Sequence, residues 1–71
     1  METRSDKFKR IATKRTNSVL EQLRLLGNLA NRSNYEYYND DVSKIFSAIE
    51  TQLKSVKASF IKNSGKSEFK L

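Results

Sequence analysis

Residues 42–60, VSKIFSAIETQLKSVKASF, decide the fold class of this chain. Val42, Ile45, Phe46, Ile49, Leu53, Val56 and Phe60 recur at alternating steps of three and four. At about 100° per residue they share a stripe roughly 100° wide, the pattern of a helix that buries one face. Strands would require alternation at every second residue, and none occurs here. The start of this helix is marked by Asp40 and Asp41, whose carboxylates suit the free N–H groups of a first turn. Tyr38 or Asn39 is the expected N-cap; with Tyr38 in that place, Asp41 supplies the acidic half of a capping box and Tyr37 can staple against Val42. Lys54, Lys57 and Lys62 bias the far end positively, as a helix C-terminus prefers.

Working back along the chain, Phe8, Ile11, Ala12, Val19, Leu23 and Leu26 form a second, less regular stripe. Leu20 and Leu25 fall to either side of it. Gly27 is the natural residue to close this helix in a left-handed conformation, and a further turn through Leu29 and Ala30 is the alternative. The expected organisation is a flexible N-terminus over 1–6, a first helix over about 7–27, a connector over 28–38, a second helix over about 39–61 and a flexible basic tail over 62–71. Two amphipathic helices of matched length and a connector of about ten residues predict an all-α antiparallel hairpin. Such a hairpin would set Phe8 near Phe60, Val19 near Ile49 and Leu26 near Val42. Because so short a chain supplies little core, dimerisation into a four-helix bundle or docking in a larger assembly would help it.

Composition narrows the functional classes. The 71 residues include no cysteine, no histidine and no proline, with only two glycines. Disulfides, thiolate catalysis, imidazole acid–base chemistry and the usual zinc sites are therefore excluded. Glu36, Asp40 and Asp41 are the densest carboxylates, and helix capping accounts for the two aspartates. No catalytic residue, metal site, cofactor or small-molecule substrate is expected. SGKS at 64–67 echoes the end of a phosphate-binding loop, yet Phe60 stands where that loop needs its first glycine. Asn31-Arg32-Ser33 fits a glycosylation sequon, but the N-terminus lacks the apolar segment of an export signal. No apolar run approaches the roughly 20 residues that cross a bilayer. The expected compartment is the cytoplasm.

The formal net charge is +6, and it is unevenly distributed. Residues 1–19 hold six cations against two acids, residues 20–53 three against five, and residues 54–71 five against one. In a hairpin both basic segments meet at the open end. Lys7, Lys9 and Arg10 open the first helix, where the helix dipole disfavours cations, so a partner is the expected reason for them. Nucleic acid, RNA or DNA, or a ribonucleoprotein is the expected partner, with Lys7, Lys9, Arg10, Lys14, Arg15, Lys57 and Lys62 as phosphate contacts. A solvated basic surface is the plainer reading. Arg15 lies on the apolar stripe, where its stem can pack and its guanidinium reach water.

The connector, GNLANRSNYEYYNDD over 27–41, carries the second candidate surface. Asn28, Asn31 and Asn34 suit turn geometry. Capping leaves Arg32, Asn34, Tyr35 and Tyr38 without a role, and these residue types hydrogen-bond and stack at recognition surfaces. Ser43, Ser47, Thr51, Ser55 and Ala58 line the side of the second helix opposite its stripe, a side expected to be nearly free of charge. Arg32, Asn34, Tyr35, Tyr38 and Ser47 are thus the candidate contacts for a protein partner or a second copy. The competing function is an accessory subunit or regulator.

The run LRLLGNLANRSNYEYYNDDVSKIFSAIETQL, with ATKRTNSVL before it, resembles a group of small bacterial proteins. Their pattern is a basic helix, then GNL[SA]N[RK]SNYxY, then a second helix. The likeness covers most of residues 8–60 and implies a self-contained helical unit without adding an activity. The chain departs from the pattern at Tyr38, where a capping threonine is expected. In architecture alone it is similar to plasmid RNA-modulator hairpins, which dimerise into four-helix bundles.

Overall fold

A computed structural model describes residues 1–62 of the chain. The described residues are all-helical and include no strand. Helix α1 spans Arg4–Gly27, a 3-10 turn spans Asn28–Ala30, and helix α2 spans Asn39–Lys62. The chain divides between Glu36 and Tyr37 into two units, one around each long helix. Residues 63–71, expected as part of a flexible basic tail, lie outside the described residues. Lys62, expected to open that tail, is the last residue given to α2.

Helix α1 starts three residues earlier than its apolar pattern suggests. Thr3 is the N-cap, in an extended conformation, and its hydroxyl accepts the Asp6 backbone N–H at 3.0 Å. The Asp6 carboxylate reaches back to accept the Thr3 N–H at 3.3 Å, closing a capping box. The Lys7 N–H then donates to the Thr3 carbonyl at 2.9 Å. Residues 4–6, expected within a flexible lead-in over 1–6, are therefore the capped first turn of the helix. The physical reason is that two of the four orphan N–H groups find acceptors within three residues. Apolar periodicity, which begins only at Phe8, carries no trace of this.

At the other end Gly27 does not adopt the expected left-handed conformation. Its φ of −61° and ψ of −27° are right-handed, and Asn28 follows at −65° and −20°. The Asn28 N–H is shared among the carbonyls of Arg24, Leu25 and Leu26, so the last turn tightens into the 3-10 segment. This is the continuation through Leu29 and Ala30. It stops at Asn31, whose backbone is extended at φ −71° and ψ 99°.

Asn31 then organises the connector. Its side-chain oxygen accepts the Ser33 N–H at 2.9 Å, and its carbonyl accepts the N–H groups of Asn34 and Tyr35, each at 3.1 Å. An Asn does this well because its short amide reaches the backbone two residues on. At the start of α2, the Tyr38 carbonyl accepts from Asp41 at 3.0 Å and from Val42 at 3.2 Å. The Asp41 carboxylate accepts the Tyr38 N–H at 3.3 Å. The acidic half of a capping box is present, and a tyrosine supplies no short hydroxyl for the other half.

Among the described residues no side chain is buried. On α1, Ile11, Ala12 and Leu26 are half-buried, while Phe8 and Val19 are more than half exposed. On α2, Val42 and Ile49 are half-buried, with Leu53 54 % and Phe60 60 % exposed. Helices draw most of their stability from a covered apolar face. Both stripes are largely exposed.

Candidate nucleic-acid interface

The cations of α1 sort onto distinct faces. At about 100° per residue, Lys7, Arg10 and Lys14 fall within an arc of roughly 60° along one flank of the apolar stripe. Lys9 lies outside that arc by about 100° or more. Arg15 sits on the apolar stripe itself and is exposed, which leaves its guanidinium in reach of solvent. The helix thus brings three of the five expected α1 contacts together and separates the other two.

Arg10 is already engaged. Its Nε donates to Glu2 Oε2 at 2.7 Å and its Nη2 to Glu2 Oε1 at 3.1 Å, a bidentate pair. This fork-to-carboxylate match is what guanidinium geometry favours. The Glu2 hydrogen bond raises the Arg10 pKa above its ordinary value, and slight desolvation opposes it. A phosphate arriving at Arg10 must compete with Glu2. Arg24 is likewise paired, with Glu21 one turn before it. By contrast Lys7, Lys9, Lys14 and Arg15 are exposed and form no ion pair among the described residues.

The early start of α1 also changes the electrostatic argument for these cations. The dipole acts chiefly within the first turn. That turn holds Arg4 and is answered by Asp6. Lys7, Lys9 and Arg10 stand one turn further in, so they do not oppose local preference as strongly as a start at Lys7 implies. Their number and exposure remain, and Lys7 and Lys9 stay outside the ion pairs of the described residues.

On α2, Lys57 borders the apolar stripe, and Lys62 lies about 140° around the helix from it. The helix does not bring these two expected contacts together. Lys44, Lys54 and Lys62 instead fall on the same side as Ser47, Thr51, Ser55 and Ala58. That side, expected to be nearly free of charge, is therefore basic. Sequence reasoning passed over Lys44 and Lys54, though projecting α2 onto a wheel would have found them. A shallow open notch along α2 is lined by Ser47, Glu50, Thr51, Leu53, Lys54 and Lys57. It joins one residue from each expected set, Ser47 and Lys57, beside the acidic Glu50.

The second expected set divides between the two units. Arg32, Asn34 and Tyr35 belong to the turn that Asn31 holds, all three exposed. Tyr38, 67 % exposed, precedes α2, and Ser47 lies nine residues further along that helix. Asn31, whose residue type suits a turn, holds the connector, and Glu2, Thr3 and Asp6 are the residues shaping these surfaces that the sequence reading missed. Their one advance signal was the Thr3-x-x-Asp6 spacing.

Among the described residues no cluster of acidic side chains has the make-up of a metal site. No described helix is long and apolar enough to cross a membrane. The chain matches no protein-family model, no curated protein and no solved structure.

Proposed function

We propose that this is a small, non-enzymatic, cytoplasmic binding protein that grips nucleic acid or a ribonucleoprotein through its clustered cations. One observation carries the reading: Lys7, Lys9, Lys14 and Arg15 on α1, and Lys54, Lys57 and Lys62 on α2, are all exposed and outside the ion pairs of the described residues. Unpaired cations facing water at this density attract polyanions and release their counterions on binding. Arg10 joins them when phosphate displaces Glu2.

The proposal includes the antiparallel hairpin. Two 24-residue helices, each about 36 Å long, with apolar stripes and a connector over 28–38, support it. Folded so, the start of α1 and the end of α2 are neighbours and form one basic end. The resemblance to small bacterial proteins around GNLANRSNYEY belongs to this reading and adds no activity.

Binding of labelled single-stranded RNA and DNA, measured by fluorescence anisotropy over a salt series, tests it. Five or six phosphate contacts to a single strand give a log–log slope of about −3.5 to −4. An affinity indifferent to salt overturns the reading.

The exposed apolar stripes favour a second reading, a protein-interaction module acting as accessory subunit or regulator. Capture from a native lysate with and without nuclease separates the two. A complex that survives nuclease, tolerates salt and is lost on Tyr35→Ala or on a bulky replacement at Ser47 supports the second reading over the first.

A further inference from the structure

The side of α2 opposite its apolar stripe carries three lysines. At about 100° per residue, Lys44, Ser47, Thr51, Lys54, Ser55 and Lys62 fall within an arc of about 100°, centred half a turn from the stripe. All six are exposed. Asp40 shares the arc, but it sits in the first turn, where free N–H groups favour a carboxylate. Asp41, Glu50 and Lys57, the remaining charges of α2, lie about 40° or more outside it. None of the three lysines enters an ion pair among the described residues. Summed over 20–53 the chain is acidic, yet the outer side of α2 is basic because Asp41 and Glu50 turn to other faces.

We propose that this outer side of α2 binds the backbone of double-stranded DNA, along the length of the helix and without regard to base sequence. The inference rests on the nucleic-acid reading above and deepens it. It names the form of the ligand, and it extends the contact from the basic end to the whole of α2. It does not need the hairpin, because the surface faces away from the stripe whatever covers that stripe.

Residue type and spacing both point to a duplex. Lysine and the hydroxyls of Ser47, Thr51 and Ser55 are donors suited to phosphate oxygens. The arc holds no arginine, asparagine or glutamine, the side chains that read purine edges in a groove. It holds no aromatic ring either, and rings are what the bases of a single strand stack upon. Such a surface can follow a backbone and cannot read bases. Lys44, Lys54 and Lys62 are about 15 Å and 12 Å apart along the helix axis. The major groove of B-form DNA is about 12 Å wide, so neighbouring lysines reach phosphates on its two walls. The major groove of an RNA duplex is deep and narrow and does not offer that span. Lys44 is the most informative position, since it stands about 27 Å along α2 from Lys62, far from the basic end.

Fluorescence anisotropy of the full chain tests the proposal, using labelled DNA duplexes of two unrelated sequences, one of their strands alone, and an RNA duplex. The two DNA duplexes should bind within a few-fold of each other, and more tightly than the strand or the RNA duplex. Lys44→Gln and Lys54→Gln should each weaken duplex binding and make the log–log salt slope shallower by about 0.9. Thr51→Glu sets a carboxylate at the centre of the surface and should weaken binding about 10-fold or more. Gln52→Glu adds the same charge one residue on, about 60° outside the arc, and should change binding by only a few-fold. Glutamate suits a helix at least as well as either residue it replaces, so both variants keep α2. Equal effects of Thr51→Glu and Gln52→Glu, a slope unchanged by Lys44→Gln, or preference for the strand or the RNA duplex overturns the proposal and leaves the wider nucleic-acid reading standing. Absence of salt-dependent binding to every one of these probes overturns both.

Discussion

Glu2, Thr3 and Asp6 form a short acidic and hydroxyl lead-in that sets both the stability and the charge of the basic end. Thr3→Ala removes the acceptor for the Asp6 N–H and should destabilise α1 by about 1 kcal/mol. Urea unfolding followed by circular dichroism, with faster amide exchange at the first turn, would register it. Glu2→Gln releases Arg10 from its bidentate pair. The released guanidinium should tighten phosphate binding and steepen the salt slope by about 0.7–0.9, the value of one added contact. A slope unchanged by Glu2→Gln would remove Arg10 from the interface. The sign of any pH effect from Arg10 follows from its raised pKa. A cation held more tightly in the folded state stabilises below its unfolded pKa and ceases to do so only as pH rises through the folded one. Both values are strongly alkaline, so Arg10 should confer no pH dependence near neutrality. Thr3-x-x-Asp6 was legible in the sequence as spacing. The Glu2–Arg10 pair was not, because the helix from Arg4 to Arg10 must form before the two groups meet.

At the scale of elements, the end of α1 and the start of α2 depart from ideal caps in opposite ways. Gly27 sits at a right-handed φ, and a Cβ built there meets nothing within 4 Å. Gly27→Ala should therefore stabilise the protein by about 0.5–1 kcal/mol, since alanine loses less backbone freedom on folding. A left-handed Gly27 would give the opposite sign, so the unfolding midpoint of one variant distinguishes the two conformations. Tyr38→Ser places a short hydroxyl at the start of α2, opposite the reach-back bond already made by Asp41. It should raise stability by about 1 kcal/mol, read as a shifted denaturation midpoint. The two helices and their polarity were legible from apolar period and from Asp40 and Asp41. The conformation of Gly27 was not, because a glycine after an apolar run satisfies a left-handed cap and a right-handed continuation equally well. Only the sharing of the Asn28 N–H among three carbonyls selects the second.

For the whole molecule, the decisive fact is two 24-residue amphipathic helices in 71 residues with no buried side chain among those described. Circular dichroism should report roughly two-thirds helix when the stripes are covered. If a second copy covers α2, the thermal midpoint should rise with protein concentration, as mass action requires of any assembly that binds only the folded state. A midpoint independent of concentration would point to cover from within the chain. High salt should weaken nucleic-acid binding and leave an apolar dimer nearly unaffected.

What the sequence determined by itself is local: two helices from the three-four recurrence of apolar residues, acidic caps, a polar connector and a net positive charge. These are encoded within a few residues of one another, so they can be read without coordinates. The structure decided which cations are held by Glu2 and Glu21, that Thr3 and Asp6 start α1 early, and that Gly27 continues it in a right-handed turn. It also decided that Asn31 anchors the connector. Those outcomes depend on positions in space, where a turn of helix or a single rotated backbone angle separates neighbours from strangers, and composition carries no record of it.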